Sequence, residues 1–318
     1  MSGATFLVVP QWQGSGSSRA MRLIDGAEAI RGDLPSAATT VVPVPASAGD
    51  SLGTGVHRFS SLISIRDAVL AELSVLEAPV ITIGGDCGAD LGGIQYALAG
   101  RPPGSVAVVW FDAHGDLNDV DSSPSGAFHG MVVRALLGDG AEGLASTGAA
   151  VLPRSNLVLA GTRALDDGEE SFVTASGISV LSADDVADPQ TVVEAVAATG
   201  ATAVYLHIDL DVLDPATMDG IGYPEPFGVQ PGQLADAVRA LRARFELAGA
   251  AITEFAPESP ENAERDLPVI LRILGSLTAA LPAAAGDGSA SALGGSNSST
   301  NGGARHLSTD SPPPDDTV

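Results

Sequence analysis

Lysine is absent from this 318-residue sequence, and all fifteen basic residues are arginines. A chain without lysine cannot form a Schiff base through a lysine amine and cannot place a P-loop lysine on a phosphate. Acidic residues outnumber basic ones by 39 to 15, so the formal net charge is −24. We therefore expect no nucleic-acid partner and no binding to anionic membranes, because proteins approach both through basic patches.

Cysteine, aromatic residues and long apolar runs are also scarce. Cys87 is the only cysteine, so no intramolecular disulfide can form, and a reducing compartment is expected. The N-terminus has no basic region ahead of its short apolar run, which argues against a secretory signal. The Ala/Leu-rich stretch near 270–285 is interrupted by Arg272 and is not predicted to span a membrane. These absences predict a cytoplasmic protein.

Short apolar runs rich in β-branched residues alternate with segments that have apolar residues at helical spacing. Strands are predicted at Thr5–Pro10, Thr40–Pro45, Val80–Ile83, Val106–Phe111, Leu157–Ala160, Ala203–Ile208 and Ala250–Phe255. Helices are predicted at Phe59–Leu76, Ala89–Ala99, Gly130–Leu137, Thr191–Thr199, Pro231–Ala248 and Pro268–Leu281. This alternation predicts an α/β fold with a parallel sheet covered by helices on both faces.

The composition changes abruptly near Pro282. From there to Val318 the chain consists mainly of Gly, Ser, Ala, Asn and Pro. Such a segment has too little apolar surface to offset the entropy of ordering. We therefore predict one domain over residues 1–281 and a disordered tail over 282–318.

Two clusters of polar residues follow predicted strands. Residues 112–116 read Asp-Ala-His-Gly-Asp, and residues 209–211 read Asp-Leu-Asp. Alternate residues of an extended segment share a face, and the carboxyl ends of parallel strands meet at one edge of the sheet. Four close carboxylates and an imidazole need a counter-charge, which a divalent metal supplies. Mixed oxygen and nitrogen ligands suit manganese, iron or zinc. The alternative is that these acids only cap helices and form turns.

A third cluster, Gly84-Gly85-Asp86-Cys87-Gly88, follows Val80–Ile83. Its glycines let the backbone turn sharply and approach a ligand closely. A single cysteine is most often a small buried core residue. Its position at the same sheet edge favours a metal ligand or a reactive thiol instead.

Five motifs stand in the order found in the arginase/agmatinase (ureohydrolase) family, which the sequence resembles. They are GGDC at 84–87, DAHGD at 112–116, SGAFHG at 125–130, DLDVLDP at 209–215 and TEFAP at 253–257. The resemblance implies a three-layer α/β/α fold with a mostly parallel central sheet. It also implies a homo-oligomer, usually a trimer or hexamer, and a centre of two manganese ions per subunit.

The resemblance assigns roles to individual residues. The implied metal ligands are Cys87, Asp112, His114, Asp116, Asp209 and Asp211. His129 is expected to transfer a proton, Glu254 to pair with a guanidinium group, and Asp116 to stabilise protons of the reaction intermediate. Ser125 and Asp166 match positions that contact the carboxylate and α-amino groups of an amino-acid substrate, and Tyr223 lies in a loop at the pocket. The alternatives are a helix-start role for His129, an exposed acid at Glu254, and solvated loops at Ser125 and Asp166.

The sequence departs from the family pattern at four positions. Cys87 replaces a metal-ligand His, and a thiolate favours zinc or iron over manganese. Ala127 replaces an Asn that holds the substrate carboxylate. Tyr223 and Phe227 replace a Thr and a Gly and are expected to reshape the pocket. His207 could join the metal ligands, but we expect it to pack beside its strand, since the family's ligands are already accounted for.

The resemblance predicts a metal-dependent hydrolase that cleaves C–N bonds of linear amidines. Its substrate would be a small cationic guanidino compound of the arginine type, and its product urea. Some relatives with Cys in place of the same His act on N-hydroxyarginine and release hydroxyurea, which is one alternative. Agmatinase or formiminoglutamase activity is another. A non-catalytic family member that only binds metal is an alternative of a different class.

Overall fold

The computed structural model describes residues 4–77 and 79–280. The predicted tail at 282–318 lies outside these residues. Within them, eight strands form one sheet in which every neighbouring pair is parallel, in the order β2-β1-β3-β8-β7-β4-β5-β6. The strands are β1 (Thr5–Val9), β2 (Thr39–Val41), β3 (Val80–Gly84), β4 (Val106–Phe111), β5 (Leu157–Ala160), β6 (Ser179–Leu181), β7 (Ala203–Asp209) and β8 (Glu246–Thr253).

Nine α-helices accompany these strands in the described part of the chain, eight between strands and α9 after the last strand. They are α1 (Arg22–Gly32), α2 (Phe59–Leu73), α3 (Leu91–Ala99), α4 (Val132–Leu136), α5 (Asp167–Ser176), α6 (Ala183–Val186), α7 (Pro189–Ala198), α8 (Pro231–Arg244) and α9 (Pro260–Thr278). None of them combines the length and apolar character needed to cross a membrane. Short 3₁₀ turns lie after β3, β4 and β7, at Cys87–Asp90, Phe128–Met131 and Leu210–Val212 respectively.

The sheet is buried on both faces, which confirms the predicted three-layer α/β/α fold. In β4, Ala107, Val109 and Phe111 belong to one core and Val106, Val108 and Trp110 to the other. Alternate side chains of a strand point to opposite faces, so a continuous apolar run is needed when both faces are covered. Residues of α1, α7, α8 and α9 pack in the first core, and residues of α2, α3 and α4 pack in the second.

Several element boundaries differ from the sequence prediction. The prediction missed the helices α1, α5 and α6 and the strand β6. It also extended α8 to Ala248, although β8 begins at Glu246, and it started α9 at Pro268. Helix α9 instead begins at Pro260, after Ser259 accepts a hydrogen bond from the Asn262 amide as the N-cap. Proline at the first helical position is well tolerated, so Ser259-Pro260 is the start signal that the prediction overlooked.

Candidate metal centre and adjoining cavity

Four neighbouring strands, β3, β8, β7 and β4, deliver the candidate side chains to one edge of the sheet. Cys87 follows β3, Glu254 follows β8, Asp209 and Asp211 lie at the end of β7, and the Asp112–Asp116 segment follows β4. Because all four strands are parallel and consecutive in the sheet, their carboxyl ends meet. The predicted ligands therefore come together from three separate parts of the chain, and Glu254 joins them from a fourth.

One part of the centre, which we call the His114 group, consists of Asp112, His114 and Asp211. The Nδ1 atom of His114 lies 2.9 Å from Oδ2 of Asp211 and 3.4 Å from Oδ1 of Asp112. Backbone amides hold both carboxylates, since the His114 amide donates to Asp112 at 2.6 Å and the Ala113 amide donates to Asp211 at 3.0 Å. The indole of Trp110 donates to Oδ2 of Asp112 at 2.9 Å. These bonds fix the two carboxylates around the imidazole.

The other part, which we call the Cys87 group, consists of Cys87, Asp209 and Glu254. The Cys87 thiol donates to Oδ2 of Asp209 at 3.0 Å and lies 3.9 Å from Oε1 of Glu254. The amide of Cys87 donates to the same Glu254 oxygen at 3.3 Å. The Asp211 amide donates to Oδ1 of Asp209 at 2.8 Å and links the two groups. All three side chains of the Cys87 group are buried.

Asp116 and Glu254 adopt a backbone conformation that is uncommon for residues with a side chain. Their φ angles are 50° and 63°, in the left-handed region. The Asp116 carbonyl accepts from the Val133 amide at 3.0 Å, and the Glu254 amide donates to the Gly85 carbonyl at 2.7 Å. Surrounding hydrogen bonds thus hold both residues in place, as is common for strained residues at functional sites.

The electrostatics of the centre favour the binding of a cation. Burial, followed by the charges of Asp211 and Asp112, raises the pKa of Asp209 well above its ordinary value, and burial and Asp112 do the same for Asp116. Burial and Asp211 raise the pKa of Asp112 to about 7. Burial lowers the pKa of His114, but hydrogen bonds to Asp112 and Asp211 outweigh it and raise the value to about 12. The raised pKa of His114 favours a protonated imidazole, which offsets part of the negative charge of the neighbouring carboxylates.

The residues fit a divalent metal. Cys87, Asp209 and Glu254 offer ligand atoms within 4.8 Å of one another, and so do Asp112, His114 and Asp211. Oδ2 of Asp116 is buried and has no hydrogen-bond partner among the residues that the structure describes. An unpaired carboxylate oxygen in such a place is costly unless a cation or a ligand binds it. Thiolate, imidazole and carboxylate donors together suit manganese, iron or zinc.

A cavity of about 200 Å³ opens beside the His114 group. His129 and Tyr223 line it, with ring centroids 4.9 Å apart and an interplanar angle of 25°. The Nδ1 atom of His129 lies 3.9 Å from Oε1 of Glu254. Burial, followed by the charge of His114, lowers the pKa of His129 to about 4. Glu254 itself lines a second cavity of about 350 Å³, and Tyr223 lines both cavities.

Two predicted substrate contacts, Ser125 and Asp166, also line the 200 Å³ cavity. Each has a local partner. Oγ of Ser125 accepts from the Ala127 amide at 3.2 Å. Asp166 is the N-cap of α5, forms a capping box with Glu169, and accepts from the Asn118 side chain at 2.7 Å. Their contact with substrate stays a prediction, and the structure adds a helix-capping role for Asp166.

The expectation that Phe227 reshapes the pocket is wrong. Its side chain is 84% exposed and faces neither of the two cavities described above. The backbone at Phe227 has a φ of 64°, in the region that favours glycine. A glycine would adopt this backbone conformation without the steric cost that a side chain carries. Tyr223, by contrast, does lie at the cavity as expected.

Sequence reasoning missed a buried layer beneath the ligands. The carboxylate of Asp86 accepts from the Gln11 side chain at 2.8 Å and from the Gly14 amide at 2.9 Å, and burial raises its pKa to about 6. Asp90 contacts both Tyr205 and His207. The GGDC motif was a signal for Asp86, but nothing in the sequence pattern linked Asp90 to strand β7.

Comparisons with known proteins agree with this geometry. A model of the arginase family matches residues 38–279. An arginase of Staphylococcus aureus strain COL is 30% identical over 178 residues, which are 53% of this chain and 58% of that relative. An arginase of Entamoeba histolytica is 34% identical over 172 residues, or 52% of this chain and 58% of that relative. These alignments thus span less than two thirds of the relatives' own length.

The likeness in fold extends further along the chain. The crystal structure of Entamoeba histolytica arginase in complex with L-ornithine superposes with a TM-score of 0.71 at 25% identity. That superposition covers 86% of this chain and 98% of the other. The three-layer architecture is therefore shared over nearly the whole solved protein.

Proposed function

The chain belongs to the arginase family, and on this premise we propose that it is a metal-dependent hydrolase that releases urea from a guanidino compound of the arginine type. Family membership supports the coarser statement that it hydrolyses a guanidino or amidino C–N bond. The finer choice of substrate is our proposal.

The observation that carries the proposal is the setting of Glu254. Its carboxylate is buried, and burial together with the charges of Asp86 and Asp211 raises its pKa well above the ordinary value. His129 is the only basic side chain within 4.0 Å of it in the described part of the chain. A buried carboxylate with so little cationic compensation favours a positively charged ligand. A guanidinium bound there would lie beside the cluster of metal ligands.

The metal ligands we propose are Cys87, Asp112, His114, Asp116, Asp209 and Asp211. We expect two divalent ions, manganese by family resemblance, with zinc or iron as the alternatives that Cys87 favours. Divalent ions held by these residues would activate water as a nucleophile near neutral pH and polarise the group under attack. The protein's own part in the reaction is to position the substrate and to move protons.

The reaction adds water to the guanidinium carbon and breaks its bond to the alkyl nitrogen, which leaves as an amine. Glu254 holds the guanidinium by charge-assisted hydrogen bonds. Asp116, whose Oδ2 has no hydrogen-bond partner among the described residues, would stabilise the protons of the tetrahedral intermediate. His129, whose low pKa keeps its imidazole neutral at pH 7, relays a proton to the departing nitrogen. Ser125, Asp166 and Tyr223 border the space for the rest of the substrate.

N-hydroxyarginine, with hydroxyurea as product, is the second candidate. The observation that favours it is the buried thiol of Cys87 within the centre. The methyl group of Ala127, at the position of a carboxylate-binding Asn, does not separate the two substrates, because both carry the same α-carboxylate. Agmatine and formiminoglutamate remain further alternatives within the same chemistry.

A substrate panel tests the proposal. The protein, loaded with Mn²⁺ or Zn²⁺, is incubated with arginine, N-hydroxyarginine, agmatine, guanidinobutyrate and formiminoglutamate, and urea, hydroxyurea and formamide are measured. We expect urea from a guanidino substrate. Full turnover by metal-free protein, or by Asp112→Asn with metal supplied, would contradict the scheme. Metal binding without turnover of any guanidine would favour the non-catalytic alternative.

We also propose that residues 1–281 form the catalytic domain, that the protein acts in the cytoplasm, and that it assembles as a homo-oligomer. A trimer or hexamer is expected from the family resemblance. Analytical ultracentrifugation of the full chain distinguishes a trimer or hexamer from a monomer. A monomer would contradict the proposed assembly.

A further inference from the structure

His207 lies directly beneath the candidate metal centre. It precedes Asp209 by two residues on β7, so both side chains lie on one face of the strand. The residue is fully buried, and its ring stacks on Trp110 with centroids 3.4 Å apart and an interplanar angle of 4°. The same indole donates to the candidate ligand Asp112. His207 is therefore held rigidly within the layer that supports the centre.

The hydrogen bonds of His207 orient its two nitrogens. Nδ1 lies 3.0 Å from Oδ2 of Asp90, which is buried and accepts a second bond from the Tyr205 hydroxyl. A proton on Nδ1 satisfies this carboxylate and leaves a lone pair on Nε2. Metal-binding histidines very often have this arrangement, in which the far nitrogen donates to a carboxylate.

Nε2 of His207 faces Thr253, whose Oγ1 is 3.3 Å away. That hydroxyl also has the carbonyl oxygen of Ile208 as an acceptor at 3.4 Å. Since a hydroxyl has only one proton to donate, a Thr253 that bonds to Ile208 leaves the Nε2 lone pair free. The imidazole can thus bind another group without leaving Thr253 unsatisfied.

Ligand atoms of Cys87, Asp112 and His207 all lie within 4.8 Å of one another. We propose that His207 supplies the imidazole that is missing at Cys87, and that these three residues ligate one of the two divalent ions. This inference rests on the proposed metal-dependent function and adds a ligand to it. Sulfur, nitrogen and oxygen donors together favour zinc or iron at this position over manganese.

The first test needs no substitution. The full-length protein is loaded with Zn²⁺, and X-ray absorption at the zinc edge counts sulfur and imidazole ligands. With His114 and His207 both bound, we expect two imidazoles and one sulfur for each pair of ions. One imidazole for each pair would overturn the proposal. A protein that binds no metal at all would instead overturn the proposed function.

The second test uses three substitutions and measures Zn²⁺ affinity by titration against a competing chelator. We expect Asp90→Asn to weaken the affinity of one site by roughly 10- to 100-fold, as for other carboxylates that orient a metal-binding histidine, and His207→Gln to weaken it at least as much. Tyr205→Phe is the matched control, because it removes the other hydrogen bond of Asp90 and leaves His207 in place. We expect it to leave affinity within about threefold.

A structural role alone predicts a different pattern. If His207 only packs, all three substitutions lower the thermal stability of the metal-free protein, and two zinc ions bind with unchanged affinity. That result, in variants that remain folded, would contradict the proposal. If His207→Gln fails to fold, two measurements still test the proposal. They are the count of imidazole ligands in the unsubstituted protein and the Zn²⁺ affinity of Asp90→Asn.

Discussion

The His114 group and the Cys87 group lie side by side at the same sheet edge but solve the problem of buried charge differently. In the His114 group, an imidazole lies 2.9 Å from one carboxylate and 3.4 Å from another, and it supplies positive charge without any metal. In the Cys87 group, two carboxylates lie beside a thiol instead. Burial and the charge of Asp209 raise the pKa of this thiol well above its ordinary value. Among the described residues, no arginine forms an ion pair with Asp209 or Glu254.

This difference shows which part of the centre depends more on metal. Proteins can keep carboxylates buried when they are paired or when they coordinate a cation. The carboxylates of the His114 group are paired with an imidazole, whereas those of the Cys87 group depend on coordinating a cation. We therefore expect metal to be essential to both groups for catalysis but to matter more for the integrity of the Cys87 group.

The largest expected effect comes from removing the metal altogether. A chelator should lower turnover of the best substrate of the panel by about 10³-fold or more, because Lewis-acid activation of water is worth several kcal/mol. Turnover should return when Mn²⁺ or Zn²⁺ is added back. Activity that persists after metal analysis shows less than one ion in ten chains would mean that neither group works as a metal site.

The next largest effect is expected for Glu254→Gln, which removes a negative charge from the Cys87 group and keeps its shape. Loss of a buried charged partner for a guanidinium costs about 2–5 kcal/mol, so kcat/KM should fall by roughly 30-fold or more. Glu258→Gln is the matched control, since this residue lines the same 350 Å³ cavity but its side chain is 58% exposed. Equal losses in the two variants would show that the charge of Glu254 has no special role.

The two groups also differ in how well the sequence alone reveals them. The acids and the histidine of the His114 group alternate directly after strands, so the pattern and the rule for parallel sheet edges are sufficient to place them. In the Cys87 group, Asp209 has the same signal as Asp211, and the cluster at 84–88 already placed Cys87 at this sheet edge. Glu254 is a single acid after β8, and only the family resemblance brought it into the site, because its contact with Cys87 depends on β3 and β8 being neighbours in the sheet.

Some of the missed features had signals and others had none. Asp166 followed by Glu169 is a capping-box pattern that marks the start of α5, yet the prediction treated Asp166 only as a substrate contact. The stacking of Trp110 on His207 had no such signal. It requires these residues to be partners in the register of β4 and β7, and hydrophobic periodicity does not specify which strands pair or in which register.

A third prediction compares the groups in the metal-free protein. Asp211→Asn should destabilise it by about 2 kcal/mol, because it breaks a buried ion pair with His114. Asp209→Asn should be nearly neutral or stabilising, because burial and its acidic neighbours already disfavour the charge of Asp209. Urea unfolding of both variants in the presence of a chelator measures the difference. Similar destabilisation by both would remove the contrast between the groups.

The pH dependence of this difference follows from the pKa shifts. Hydrogen bonds to His114 outweigh burial and lower the pKa of Asp211 below 3.8, so its contribution is present above that value and lost as the pH falls. The pKa of His114 is raised from 6.5 to about 12, so its contribution is complete below 6.5 and lost as the pH rises towards 12. The cost of Asp211→Asn should therefore be largest between about pH 4 and 6.5.

The smallest effect is expected for Cys87→His. This substitution most directly reduces the difference between the Cys87 group and the His114 group. An imidazole at this position replaces the soft thiolate, so the ratio of Mn²⁺ to Zn²⁺ affinity should rise by about tenfold. The same substitution makes the imidazole of His207 redundant, and His207→Gln should then cost less metal affinity in the Cys87→His background than alone. Competition titrations of the four proteins measure this coupling. Equal costs in both backgrounds would mean that Cys87 and His207 do not share a metal ion, and the difference between the two groups would then lie in the thiol alone.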